Sequence, residues 1–299
     1  MIWNRSFLPL LLAAFIPALH AHAAPRRVAI LGDSITYDGR WATQVEASLR
    51  SSPKFAAAEI VNFGLSSETV SGLSEDGHAG GAFPRPCLHE RLDRILTTFK
   101  PNLVLACYGM NDGIYLPFEA SRAKAFQDGI IQLKAAVEKQ GGEMVFITPP
   151  LHRSDKPADD PNHYDAVLDA YSNWLVARRA AGWQVIDIRP DLRQAIAAEK
   201  ARNPSFIYAQ DGIHPGDEGH RFIAASVTRQ LWPILKLPGA PAVSENAGLA
   251  ILSRRSELLK LAWLSHTRHT RPGVPQGLRI AEATAQAAKL MADYRTAVR

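Results

Sequence analysis

Val28-Ala29-Ile30-Leu31-Gly32-Asp33-Ser34-Ile35-Thr36 is the stretch on which the reading of this chain turns. Four apolar residues in a row, closed by Gly-Asp-Ser and followed by a helix-compatible run, fit a buried parallel strand that ends in a tight turn. Such a turn holds the Ser34 hydroxyl at the carboxyl end of the strand, the edge at which open α/β sheets bind ligands. Ser34 is therefore a candidate nucleophile. Ordinary turn and N-cap chemistry is the competing explanation for Asp and Ser at a strand-to-helix junction.

Further apolar runs follow at Ile60–Phe63, Leu103–Tyr108, Met144–Thr148 and Gln184–Ile188, with helical spacing at 41–49 and about 89–99, 119–139 and 163–181. This alternation predicts an α/β fold, a parallel sheet covered by helices on both faces through right-handed crossovers. Five strands suit the flavodoxin-like three-layer sandwich with order 2-1-3-4-5, in which ligands lie where the chain reverses direction. Ser34 after the first strand, Gly64 after the second and Asn111 after the third then border one crevice. The segment from Ser66 to Pro86, rich in Gly, Ser and Pro, is long enough to form a wall of that crevice. His78, Phe83 and Arg85 are its candidate substrate contacts, and a loop packing on itself accounts for the same residues.

With 299 residues and 46% hydrophobic content, the chain can bury a full core and carry an appendage. A net charge of +5 and a pI near 9.3 come from scattered Lys and Arg, not from a polybasic run, so nucleic acid is not the expected partner. Arg5, an apolar run from Phe7 to Leu19 and Ala21-His22-Ala23 read as a signal peptide over 1–23, implying export to the periplasm or the exterior. The run falls short of the roughly 20 apolar residues that span a bilayer. Export permits a disulfide between Cys87 and Cys107, which a helix antiparallel to its following strand brings to one sheet edge; two unpaired thiols fit equally well. The main domain is expected over 24–238, ending at the linker-like Pro238-Gly239-Ala240-Pro241. A helical hairpin extension over 239–299 follows, with helices at 244–265 and 280–296. His266 and His269 in its connection have ligand-like spacing but lack the nearby carboxylate or cysteine that a closed metal site needs.

Near the end of the main domain stands Asp211-Gly212-Ile213-His214-Pro215-Gly216. An Asp and a His three apart in a Gly- and Pro-rich turn can meet, so that the acid keeps one ring nitrogen protonated and frees the other as a base. A serine hydroxyl needs such a base, and an ester carbonyl under attack needs fixed donors for its oxyanion. Ser34, His214 and Asp211 supply the first set. The backbone N–H groups of Ser34 and Gly64 and the amide of Asn111 supply the second.

The blocks Gly32-Asp33-Ser34-Ile35, the glycine of Asn62-Phe63-Gly64, Gly109-Met110-Asn111-Asp112 and Asp211-Gly212-Ile213-His214 occur in the order in which they stand in the SGNH hydrolases, the GDSL-type esterases and lipases, which this chain resembles from about Arg27 to Trp232. The resemblance implies a flavodoxin-like fold, a Ser–His–Asp mechanism without metal or cofactor, and an oxyanion hole from Ser34, Gly64 and Asn111. It implies nothing for the segment beyond Pro238. An α/β-hydrolase elbow, Gly-x-Ser-x-Gly, is absent around Ser34, as is a P-loop. The expected reaction is removal of a small acyl group, acetyl first, from a polar alcohol such as a sugar. The alternatives are a lipolytic esterase or thioesterase of longer acyl preference and a non-catalytic carbohydrate-binding protein on the same scaffold.

Overall fold

The computed structural model describes residues 26–152, 164–239, 241 and 248–298. The expected signal peptide, the start of the helical stretch at 244 and part of the linker lie outside them. Five strands, β1 (Arg27–Gly32), β2 (Glu59–Asn62), β3 (Leu103–Cys107), β4 (Glu143–Ile147) and β5 (Gln184–Ile186), form one sheet in the order β2-β1-β3-β4-β5. Every pairing is parallel, with Val28 opposite both Ile60 and Leu103. The central strands are buried on both faces, which is why they read as unbroken apolar runs with no alternation. β5 is shorter than the expected 184–188. Asp187 leaves the ladder to accept from the Thr148 hydroxyl at 3.1 Å and from the N–H of Arg189 at 3.2 Å, which starts the next helix.

Helices α1 (Ser34–Asp38) and α2 (Arg40–Arg50) follow β1, α3 (Leu92–Thr98) precedes β3, and α4 (Ala120–Lys139) and α5 (Asp165–Ala177) flank β4. After β5 come α6 (Arg189–Arg202) and α7 (Asp217–Ile234), and α7 packs on α2. Because β1 connects to β2 on one side and β2 to β3 across it, right-handed crossovers put α2 and α3 on opposite faces. The sheet's carboxyl edge is left to the loops after β1, β2 and β3 and to the segment between α6 and α7.

Helices α8 (Gly248–Thr267) and α9 (Ile280–Ala297) pack on one another. They are seated by Trp263, whose ring lies 5.7 Å from Phe63 and 5.1 Å from Phe99, both buried in the main core. Arg255 of α8 reaches Glu46 of α2 at 2.8 Å and the carbonyl of Ile60 at 3.1 Å. Two buried guanidiniums, Arg50 and Arg255, thus share one carboxylate. Cys87 and Cys107 are unpaired thiols.

Candidate active site

The glycine of Gly-Asp-Ser is sterically required. A Cβ on Gly32 would collide with the Thr36 side chain and fall 2.7 Å from the carbonyl of Cys107, so only glycine lets β1 turn straight into α1. Asp33 caps α1 by accepting from the N–H of Ile35 at 3.0 Å. Complete burial, reinforced by Asp112 and Glu68, outweighs that bond and pushes its carboxyl up to about 7. Ser34 is then the first residue of α1, where a backbone N–H has no partner inside the helix.

His214 arrives on a loop whose shape its own acid sets. Asp211 Oδ1 accepts from the N–H groups of Ile213 and His214, each at 2.8 Å, and Oδ2 meets His214 Nδ1 at 2.6 Å. The turn needs Gly212 at φ +81. Partial burial works to raise the Asp211 carboxyl, but the hydrogen bonds from the His214 ring and from the two backbone N–H groups hold it down at about 2. With Asp211 ionised, Nδ1 carries the proton and Nε2 is free to accept; it lies 2.8 Å from Ser34 Oγ. Three residues expected to converge do so. The His214 and Asp211 side chains are 47% and 53% exposed, so a screened pair adds little to stability.

A guanidinium ties the serine's helix to the histidine's loop. Arg40 donates to Asp38 at the end of α1 (2.6 and 2.8 Å), to Asp217 Oδ1 (2.6 Å) and to the carbonyl of Pro215, next to His214 (3.3 Å).

The donor side differs from expectation at one residue. Asn111 is buried where expected; its Nδ2 donates to the carbonyl of Glu68 at 3.1 Å and its Oδ1 accepts from Tyr115 at 3.0 Å, which fixes the amide and leaves one N–H over. Gly64 does not offer a free donor, since its N–H is committed to Asn62 Oδ1 at 2.8 Å. Its glycine identity has a steric cause: a Cβ there would stand 2.5 Å from the backbone nitrogen of Tyr37. Three residues on, Ser67 occupies φ +69, and Glu68 N–H closes a turn on the carbonyl of Leu65 at 3.2 Å. A positive φ at the third position of such a turn marks type II, usually a glycine site. Ser67 N–H has no acceptor among the described residues, and its peptide stands between Leu65, bonded to Gly32, and Glu68, bonded to Asn111.

Below this turn the Glu68 carboxylate is clamped by Arg91 (2.6 and 2.7 Å) and by Tyr108 (2.6 Å), all fully buried. Asp112 Oδ1 receives the N–H groups of Val70 and Ser71, each at 2.8 Å. Of the candidate substrate contacts, Arg85 is buried, makes a bidentate pair with Glu75 (2.7 and 2.6 Å) and covers the Tyr115 ring. His78 lies 3.1 Å from Glu75 Oε1, and its ring meets Phe83 edge-on. These side chains hold the loop together and, through Tyr115 and through Arg271 over the Phe83 ring, tie it to its neighbours.

The sequence profile of the GDSL-like Lipase/Acylhydrolase family matches residues 30–222. The chain belongs to this family. The GDSL-like chain is accordingly a carboxylic ester hydrolase, and its five-stranded parallel sheet is the fold shared with an acetylxylan esterase from Geobacillus stearothermophilus (18% identity, 69% of this chain and 94% of that one, TM-score 0.52). An alpha/beta hydrolase from the metagenome of Lake Arreo, Spain, is similar at 22% identity over 70% and 95% of the two chains (TM-score 0.53). The acetyl xylan esterase AlAXEase is similar at 20% identity over 70% and 99% (TM-score 0.52). No curated protein matches the sequence. Among the described residues of the GDSL-like chain, no helix is long and apolar enough to cross a membrane. Sequence reading missed Ser67 and Arg40. The Ser-Ser pair between β2 and the buried Glu68 was a turn signal, whereas nothing local marks Arg40 as a bridge.

Proposed function

We propose that this hydrolase removes small acyl groups, acetyl first, from a polar, carbohydrate substrate through an acyl-enzyme on Ser34. The observation that carries the reading is the continuous chain Ser34 Oγ, His214 Nε2, His214 Nδ1, Asp211 Oδ2, with contacts of 2.8 and 2.6 Å at its two hydrogen bonds. His214 Nε2 takes the hydroxyl proton as Oγ bonds to the carbonyl carbon. The oxyanion is held by the N–H groups of Ser34 and Ser67 and the remaining N–H of Asn111. Its collapse breaks the bond to the alcohol, which leaves with the proton from His214. A water then gives its proton to His214 and its oxygen to the acyl carbon, and release of the acid returns the proton to Ser34.

An acyl group small enough to need no apolar tunnel suits a half-exposed base and a Gly- and Ser-rich wall, and acetyl is the acyl group named for two esterases of similar fold. The apolar leader at Phe7–Leu19 supports export, where polysaccharide esters are met. Leu116 and Phe118, 43% and 56% exposed on the loop leaving Asn111, favour a second reading with a longer acyl chain. Nitrophenyl acetate and octanoate separate the two. Preference for acetate, with acetate released from acetylated polysaccharides, supports the first reading; preference for octanoate replaces it with the second.

A further inference from the structure

Helix α1 spans five residues, Ser34–Asp38, little more than one turn. A single turn is not stable by itself, so what holds its ends decides where Ser34 sits. At the start, Asp33 caps it. At the end, the carbonyl of Thr36 accepts from Gly39 N–H at 3.1 Å and from Asn62 Nδ2 at 2.7 Å, both from the main domain. The carbonyl of Tyr37 accepts instead from Lys260 Nζ at 2.6 Å, a residue of α8 and 223 positions away in sequence.

Lys260 has no other evident use. Its side chain is 3% exposed, its ammonium lies 3.8 Å from the centre of the Tyr37 ring, and Glu257 pairs with it at 2.6 Å. A buried ammonium is costly unless every partner is in place, and here two of the three partners belong to one residue of α1. A cation at a helix carboxyl end also complements its dipole. Five positions earlier on α8, Arg255 spends its guanidinium on α2 and β2, at Glu46 and at the carbonyl of Ile60.

We propose that Lys260 is a positioning residue for Ser34: it fixes the carboxyl end of the one-turn helix that bears the nucleophile, making the C-terminal helices a working part of the hydrolase. The assignment rests on Ser34 being the nucleophile.

The test is kinetic, on the full chain. Lys260→Met should lower kcat roughly 10- to 100-fold with KM nearly unchanged, as expected for a displaced nucleophile, and slow labelling by a fluorophosphonate probe in parallel. Lys260→Arg should restore part of both. Arg255→Met serves as control, lowering the melting temperature but leaving kcat intact well below it. Should Lys260→Met fail to fold, Lys260→Gln, able to make one neutral hydrogen bond to Tyr37, should give an intermediate kcat and labelling rate. A Lys260 variant that melts lower yet keeps wild-type kcat and labelling overturns the proposal. Wild-type protein that hydrolyses esters but is never labelled at Ser34 overturns instead the reading on which it rests.

Discussion

The two sides of the catalytic crevice are built in opposite ways. The side proposed to move protons, His214 and Asp211, is half exposed and wired locally: acid and base are three residues apart, and one carboxylate shapes the turn and orients the ring. The side that would hold the oxyanion is buried and wired over long range, with Asn111 fixed by Glu68 and Tyr115, Glu68 by Arg91 and Tyr108, and Asp112 by Val70 and Ser71. A base that meets water and substrate tolerates exposure. Donors that stabilise developing charge act best when they cannot reorganise and are shielded from water. The contrast makes different substitutions fail in different ways.

On the proton side, Ser34→Ala should remove turnover almost entirely, on the order of 10⁶-fold, while circular dichroism and melting temperature stay put. Retained activity in the purified variant would break the contrast at once, since Ser34 would then not be the nucleophile that His214 and Asp211 serve.

Across the crevice, Asn111→Ala should cost about 2.7–4 kcal/mol of transition-state stabilisation, read as kcat with KM little changed. An unchanged kcat takes Asn111 out of the oxyanion hole and leaves it a purely structural staple.

Burial on that side also predicts a pH dependence of stability. The folded Asp33 carboxyl keeps its proton to about pH 7, against 3.8 for the ordinary group. Asp112 behaves alike, pushed up to about 6 by burial. The folded state therefore holds protons that the unfolded chain has released, so this contribution is fully present below pH 3.8 and is lost as the pH rises through about 7. Asp33→Asn keeps the cap and cannot ionise; it should raise the melting temperature near pH 8, change nothing near pH 3.5, and flatten the slope between. A slope identical to wild type would mean that Asp33 is ionised in the folded protein. Asp211, held down at about 2, has the opposite sign: its contribution is present above its ordinary range and lost as the pH falls toward 2.

The smallest effect sharpens the donor assignment. Ser67 sits at φ +69, where glycine is the easier residue, so Ser67→Gly should leave kcat within about twofold and melting unchanged or slightly higher. A large loss of kcat would assign the role to the Ser67 hydroxyl and not to its backbone N–H.

The same contrast explains what could be read from the sequence. Strand order, the Gly-Asp-Ser turn after β1 and the Asp211–His214 pair were legible because each is encoded locally, in an apolar run closed by Gly-Asp-Ser or in a Gly-rich turn with acid and base three apart. Helical spacing at 244–265 and 280–296 anticipates the two C-terminal helices, which among the described residues run Gly248–Thr267 and Ile280–Ala297. What escaped depends on contacts across the fold. Gly64 looked like a donor by position, yet the Asn62 side chain, on the same short stretch, takes its N–H, and Tyr37, brought close by packing, explains why it is glycine. Arg40 and Lys260 look like solvated surface charges until the fold shows that one joins the serine's helix to the histidine's loop and the other closes that helix from below. His78, Phe83 and Arg85 were singled out by their loop, and the structure engages them with Glu75 and one another inside the loop and with Tyr115 and Arg271 beyond it.

Mapping the site of covalent modification tests the central claim most directly. After reaction with a fluorophosphonate, intact-mass and peptide analysis should find one adduct, on Ser34, accumulating in proportion to lost ester hydrolysis. Full hydrolytic activity in protein quantitatively modified at Ser34, or inactivation by an adduct elsewhere with Ser34 free, would contradict it.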